Sequence, residues 1–303
     1  GVLFPHSPDY YSAEQFPVLW DPTATAPTYE RVMRAQLGSD LEALEDIASQ
    51  LLEWQTYPQK AIFIYGPTRS SKSTFLRVLQ RLVGPKSTAA VHLHDLMDDN
   101  FASADLFGKA LNVIGDMTAA PLRDVSKFKE ITGGDPIRAQ FKYGQAFTFV
   151  NYSLQVFAGN AIPLMSEGSG ALMARMMPFK FPNSFVGQED PDIERQIAEE
   201  CSGILNRLIE ALRRRHARGH FLPAKDDVRR EFAAATDPVA AFLEERTVSC
   251  SQGTSTSQVY LEFQIWAEAN GFKPLNSQNF GQRVEKFGYH RLHRNTGDVF
   301  TLR

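Results

Sequence analysis

A five-residue apolar run, Ala61-Ile62-Phe63-Ile64-Tyr65, leads into Gly66-Pro67-Thr68-Arg69-Ser70-Ser71-Lys72-Ser73-Thr74. The chain then resumes as a helical pattern, and this order constrains the fold more than any other feature. β-Branched and aromatic residues in a short apolar run predict a buried strand. Gly66-Pro67 breaks it. From Lys72 to Val83 the residues Phe75, Val78, Leu79 and Leu82 recur on one helical face, and Gly84-Pro85 ends the run. The loop matches the phosphate-binding pattern G-x-x-x-x-G-K-[ST], except that Ser71 stands where the second glycine belongs. In that pattern backbone N–H groups turn inward on an anion at the positive end of the following helix. Gly66, Pro67, Thr68, Arg69, Ser70, Ser71 and Thr74 are therefore expected to cradle the phosphates of ATP. Lys72 is expected to reach the β- and γ-phosphates, and Ser73 to ligand Mg²⁺. If position 71 needs a positive φ, serine there costs on the order of 1 kcal/mol.

Two further apolar runs, 110–114 and 154–158, are separated by helical stretches. Alternation of this kind predicts an α/β fold with a largely parallel sheet and helices on both faces. A phosphate loop needs a carboxylate at the end of a neighbouring strand, and Asp116, just past 110–114, fits. Its competitor is Asp95, after a weaker strand candidate at 90–94 and in what reads as a solvated acidic turn. His92 and His94 alternate on that stretch without an obvious third ligand, which favours a surface reading over a metal pair.

A length of 303 residues predicts about two domains. The hydrophobic share of 43% and charged share of 22% exclude a disordered, collagen-like or coiled-coil chain. No apolar run approaches the ~20 residues that cross a bilayer. Cys201 and Cys250 read as two buried thiols in a reducing compartment. The chain opens on Gly1 with no charged-then-apolar leader, which predicts a longer native protein and no secretion. The sequence divides into 1–58, an aromatic-rich irregular segment to about residue 38 that wraps a core, followed by a helix from Asp40 with Leu41, Leu44, Ile47, Leu51 and Leu52 on one face; 59–248, the α/β core with a helical extension; and 256–303. In the extension, a long helix over 192–217 opens after Pro191 and closes at Gly219, and a short one spans 237–245. After a Ser/Thr/Gly-rich linker, helices at 258–270 and 277–287 and a ribbon around Asn295-Thr296-Gly297-Asp298 predict a winged helix. From Lys273 onward there are six basic and two acidic residues, so the whole-chain charge of −3 conceals a basic tail. Arg283 and Lys286 on the second helix and Arg294 on the wing are the expected duplex contacts.

Taken in order, these residues resemble the superfamily-3 helicase module at the C-terminal end of phage and plasmid primases. Asp21-Pro22-Thr23-Ala24-Thr25-Ala26-Pro27 is similar to the entry segment before that core, and Leu106-Phe107-Gly108-Lys109 precedes the acidic strand as in the family. Lys129-Glu130-Ile131-Thr132-Gly133-Gly134-Asp135-Pro136 resembles the family's K-x-L-T-G-G-D-P box. Gly159-Asn160 ends the third strand where the family keeps a sensor asparagine. Residues 171–179 (ALMARMMPF) resemble its arginine-bearing segment, 200–205 (ECSGIL) and 237–243 (DPVAAFL) its following helices, and 261–288 its terminal winged helix.

The resemblance implies a P-loop NTPase core of AAA+-like, superfamily-3 helicase type with a C-terminal winged helix. It implies an ATP- and Mg²⁺-dependent helicase or translocase in the replication of a phage, prophage or plasmid, in the cytoplasm of a bacterial host. Lys72, Asp116, Asn160 and Arg175 are then the catalytic set, with Ser73 and Asp116 on the metal and Asn160 orienting water. Arg175 acts as an arginine finger on a neighbouring subunit, which implies a ring, a homo-hexamer. A hairpin with its tip at Tyr143-Gly144-Gln145 projects into the ring channel, where Arg138, Lys142 and Tyr143 track single-stranded DNA; Lys129 acts there or at the nucleotide. A primase domain or primase partner is implied as well. The family's G-x-G-x-N-G-K-S-T loop has two glycines and an asparagine missing here, and its Glu or acidic pair is the single Asp116. Those departures predict hydrolysis that is slow or dependent on assembly and DNA. The alternative is a replication initiator that binds ATP for assembly with little unwinding. A small-molecule or nucleotide kinase fits the loop but neither the winged helix nor the Gly-Gly-Asp-Pro box.

Overall fold

The computed structural model describes residues 4–5, 7–10, 15–53, 60–98, 101–118, 122, 126–164, 175–188, 190–246, 254–294 and 297–302. They form two compact units. The first draws on described residues within Gly1–Thr118, Ser126–Ala161 and Ala171–Arg229, and the second on those within Ala119–Val125, Ile162–Gly170 and Arg230–Arg303.

In chain order the first unit carries helices α1 (Pro27–Leu37) and α2 (Asp40–Ala48), strand β1 (Ala61–Tyr65), α3 (Lys72–Val83), β2 (Thr88–Ala89), α4 (Leu93–Asp98), β3 (Leu111–Ile114), α5 (Ser126–Gly133), β4 (Pro136–Gln140), β5 (Ala146–Val150), β6 (Leu154–Gly159), β7 (Met176–Lys180), α6 (Ile193–Glu199) and α7 (Cys201–Arg218). Strands β2-β3-β6-β1-β7 form one parallel sheet in that order. β1 lies between β6 and β7 and is buried at all five positions, as an unbroken apolar run requires when helices cover both faces. α3 buries Phe75, Leu76, Val78, Leu79, Leu82 and Val83, which matches the expected face, and Gly84 ends it at φ +81°. β4 and β5 stand apart as an antiparallel hairpin.

Three expectations are corrected. The aromatic-rich segment to residue 38 contains the eleven-residue helix α1. Its first free amides, Thr28 N and Tyr29 N, donate to the Glu200 carboxylate at 2.9 and 2.8 Å, so the cap is supplied from far along the chain. The long helix expected over 192–217 is broken at that same Glu200 into α6 and α7. No strand forms over 90–94: the two-residue β2 ends just before that stretch, and α4 begins at Leu93. The buried Asn112 side chain occupies both backbone groups of Val91, accepting from its N–H at 2.8 Å and donating to its carbonyl at 3.1 Å. The ladder ends there because its next hydrogen bonds are already made.

The motif at 200–205 proves to be a seat for the entry segment. Asp21 N donates to Ser202 Oγ at 2.7 Å, and Asn206 Nδ2 donates to Asp21 O and Ala24 O at 2.8 and 3.0 Å. Gly203 permits the closest approach: a Cβ there would stand 2.1 Å from Thr25 O. Gly203→Ala is accordingly expected to destabilise the fold by about 3 kcal/mol, because backbone rather than a movable side chain must give way. A melting curve should fall by roughly 10 °C; an unchanged curve would show that the entry segment is not seated here.

The second unit holds α9 (Pro238–Arg246), strand β8 (Thr254–Ser255), α10 (Thr256–Ala269), α11 (Ser277–Lys286), β9 (Tyr289–Arg294) and β10 (Gly297–Leu302), while α8 (Asp226–Thr236) contains the division between units. β8-β10-β9 is an antiparallel sheet. The core is aromatic: Phe242, Phe263, Trp266, Phe272, Phe280 and Phe300 are all buried, with Phe263 stacked on Phe280 at 4.6 Å. Val239, Phe242 and Leu243, read as the end of the 59–248 core, belong to this cluster. Residues 295 and 296 of the expected wing turn lie outside the described residues, as does Cys250.

Candidate functional site

The loop 66–74 leaves the carboxyl end of β1 and turns directly into α3. Glycine is required at its entrance, since a Cβ on Gly66, at φ +149°, would stand 2.1 Å from Phe181 O. Arg69 and Ser71 adopt left-handed φ of +56° and +66°, so Ser71 carries the conformation that its pattern assigns to glycine. Lys72 opens α3 and is 7% exposed. Its ammonium donates to Gly66 O at 2.8 Å, Pro67 O at 2.6 Å, Ser70 Oγ at 3.2 Å and Asn160 Oδ1 at 3.1 Å. Burial lowers its pKa, and the negative charge of Asp116 opposes that shift.

Sheet register explains this convergence. Tyr65 is level with Gly159 and Ile114 with Phe157, so the residues just past β1, β3 and β6 emerge at one edge. Asp116 and Asn160 are both exposed there. Met117 N donates to Ala158 O at 2.8 Å and ties the Asp116 turn to β6. Lys72, Asp116 and Asn160, far apart in sequence, are thus brought together at the carboxyl ends of parallel strands, where open α/β sheets bind ligands. Asp95 lies on α4 instead of at a strand end.

A cavity of about 640 Å³ opens beside the loop. Arg69 through Thr74 form one wall, Arg31, Val32 and Ala35 of α1 a second, and Phe185, Gln188 and Ile193 a third. Its volume lies within the ~300–1,000 Å³ of small-molecule sites. Ser73 lines it. Thr74 also lines it, but its hydroxyl donates to Glu194 Oε1 at 2.8 Å, an oxygen that also accepts from Arg77 at 2.8 Å. Thr74 therefore ties α3 to α6. Sequence reasoning missed Arg31, Gln188 and Glu194, because nothing local joins α1 and residues 185–194 to the loop.

Arg175 lies elsewhere. Met176 pairs with Ala61, which puts Arg175 at the amino end of the strands, beside Lys60. Burial, then the positive charges of Arg175 and Arg229, lowers the Lys60 pKa. One strand length, roughly 15 Å, separates that edge from the loop.

The hairpin has two unlike faces. Ile137, Ala139 and Phe149 are buried, and Phe107 packs on Phe147 and Phe149 at 5.1 and 5.5 Å. Arg138, level with Thr148, is on the exposed face. At the tip Tyr143 is 95% exposed at φ +66°, and Lys142 Nζ lies 5.5 Å from its ring centroid. Lys129 is on α5, away from this tip in sequence and half-buried. Phe107 props the hairpin through aromatic packing that no spacing rule reveals.

In the second unit, Arg283 is a correction to the expected duplex contacts. It is 18% exposed, and its Nη1 donates to Asp237 Oδ1 at 3.2 Å, so it joins α11 to the start of α9. Lys286 is exposed, and the Arg294 side chain lies outside the described residues. Among the described residues no group of three or more His, Cys, Asp or Glu side chains is placed to hold a metal, and no helix is long and apolar enough to cross a membrane. Cys201 is half-buried, and burial raises its thiol pKa.

Comparison with known proteins gives partial matches. Residues 64–175 match a family of unknown function (DUF5906), and residues 234–294 match a poxvirus D5 protein-like family. No curated protein matches the chain. The fold resembles the apo structure of the NrS-1 C terminal region (305-718), with TM-score 0.56 and 10% identity over 96% of this chain and 76% of that one. The A form apo structure of that region gives 0.55 at 9% identity over the same shares. At such identity the likeness is one of fold, a mixed α/β architecture around a central parallel sheet.

Proposed function

We propose that this chain is an ATP-dependent DNA translocase or helicase of the superfamily-3 type, acting in replication of a phage, prophage or plasmid. The observation that carries the reading is the Lys72 ammonium. Among the described residues its hydrogen-bond partners are four neutral oxygens. A buried cation so surrounded, at the mouth of a cavity and a helix amino terminus, is matched to an anion such as a triphosphate. The match of residues 234–294 to a poxvirus D5 protein-like family supports the replication setting, and the likeness to the NrS-1 C terminal region supports the α/β fold around a parallel sheet.

In this reading Lys72 and the loop amides of residues 66–74 hold the phosphates. Ser73 and Asp116 would hold Mg²⁺, which when bound neutralises charge on the phosphate oxygens. One carboxylate and one hydroxyl suit a cation that completes its shell with phosphate and water, so a site without three clustered His, Cys, Asp or Glu ligands among the described residues is no obstacle. Asn160 keeps the water in line, and Arg175 reaches the site of the next copy in a homo-hexameric ring. Phosphoryl transfer needs positioning and charge more than covalent help. Arg138, Lys142 and Tyr143 follow single-stranded DNA by charge and stacking, and the second unit, read as a winged helix, takes duplex. A primase domain or partner completes the replication role.

The deciding experiment is an ATPase assay with and without single-stranded DNA, with oligomer size measured on the same sample. Turnover that rises with DNA in a ring-sized species is the expected result. ATP binding without DNA-stimulated turnover would favour the initiator reading, which the strained Ser71 supports. Ser71→Gly tests the strain itself. Releasing a left-handed serine gains ~1–2 kcal/mol, and the entropy of glycine offsets ~0.5–1. Ser71 holds that φ in the folded loop, so the gain should appear as a melting temperature up to a few degrees higher; a lower melting temperature would show that the serine is not strained there.

A further inference from the structure

The exposed face of α11 is amide-rich and uncharged at its start. Ser277, Gln278, Asn279 and Gln282 point to solvent, while Phe280, Gly281 and Val284 are buried. Asn276 caps the helix, its side chain accepting from Asn279 N at 2.8 Å. Beside it lies a shallow depression of about 560 Å³ lined by Ser277, Gln278, Gln282, Glu285 and Arg291. Arg291 comes from β9 and has two contacts: its Nε lies 3.4 Å from Glu285 Oε1, and its guanidinium is 5.7 Å from the Phe300 ring centroid. Its Nη2 stands 2.3 Å from where a Gly281 Cβ would be. Glycine at 281 thus leaves room for a cation laid against the helix. With Arg283 turned inward to Asp237, this face carries the only arrangement on α11 that joins amides to a fixed guanidinium among the described residues.

We propose that this face reads base edges of duplex DNA, with Gln278 and Gln282 recognising adenine and Arg291 recognising guanine or an adjacent phosphate. The proposal rests on the reading that the second unit binds DNA. A glutamine amide offers one donor and one acceptor, the pair that adenine N7 and N6 presents in the major groove. Residues four apart lie on one side of a helix, one turn on, so the two amides face neighbouring base pairs. The groove admits one α-helix. No large apolar side chain lines the depression, which argues against a protein occupant.

The test uses the full chain without nucleotide. A random-sequence DNA duplex library is selected, and anisotropy then compares the enriched duplex with a scrambled one. An adenine-containing motif preferred about tenfold or more is expected. Gln278→Ala with Gln282→Ala should bring that preference to within about twofold of none and leave scrambled binding unchanged. Gly281→Ala is the second variant. Its Cβ displaces the Arg291 guanidinium from Glu285 and Phe300 and leaves both glutamines in place, so the selected motif should keep its adenines and lose any guanine beside them, or scrambled binding should weaken where Arg291 serves a phosphate. No enriched motif, a preference that survives in the glutamine variant, or equal affinity for the same sequence as RNA duplex or for a protein partner would overturn the proposal. The ATPase assay is read separately. DNA-stimulated turnover without duplex preference sinks this proposal alone, and duplex preference without turnover sinks the motor reading alone.

Discussion

Lys72→Ala should abolish ATP turnover, by at least about a hundredfold, while the second unit still binds duplex. The magnitude follows from what the ammonium does. It sits at the carboxyl edge of the sheet, 3.1 Å from Asn160 and under the pull of Asp116. Removal of one well-placed charge-stabilising donor costs ~10²–10³ in rate in other enzymes, and here the removed group carries a full charge. Folding is the competing explanation for lost activity. The alanine leaves Gly66 O and Pro67 O without that donor; Pro67 is exposed, where water can replace it, while Gly66 is buried and its unpaired carbonyl costs ~1–3 kcal/mol, less than the stability of a typical domain. Phosphate release, nucleotide binding and a melting curve should be measured together. Wild-type turnover in a folded variant would remove Lys72 from the site, and with it the phosphate reading of the loop.

The parts legible in the sequence are those whose causes are local. Helix 72–83 was read to the residue because an apolar stripe, a loop before it and Gly84 behind it lie in one window. Strands 61–65, 111–114 and 154–159 were legible as buried apolar runs. The hairpin tip at 143–145 was legible because Gly144 sits between alternating stretches. The errors share a cause as well. α1 went unread because its amides are capped by Glu200, and the break between α6 and α7 went unread because Glu200 is turned to that use. β2 is short because Asn112 reaches across to Val91. Arg283 looked like a surface cation until Asp237 proved to be its partner. In the site, Lys72 and Ser73 follow from a pattern, while the cavity wall of Arg31 and Gln188 exists only once α1 and residues 185–194 meet the loop. Long-range polar contacts, more than apolar packing, are what the residue pattern concealed.

Arg175→Ala should lower turnover by ~10³ or more, the scale of a lost arginine finger, although Arg175 lies a strand length from Lys72 in its own chain. A residue at the amino edge of a parallel sheet cannot serve a phosphate at the carboxyl edge of the same sheet. If it acts on phosphate, that phosphate belongs to another copy, and head-to-tail contacts of this kind close into rings. Complementation follows. Lys72→Ala subunits keep Arg175, Arg175→Ala subunits keep the loop, and a coexpressed equal mixture joins the intact halves at about a quarter of its interfaces. Turnover should therefore return to roughly that fraction of wild type from two parents that are each inactive. A mixture that runs at full size on a sizing column and stays as inactive as either parent would place Arg175 outside the reaction. Near-normal turnover of Arg175→Ala alone would do so more directly, and would leave the ring itself without its chemical reason.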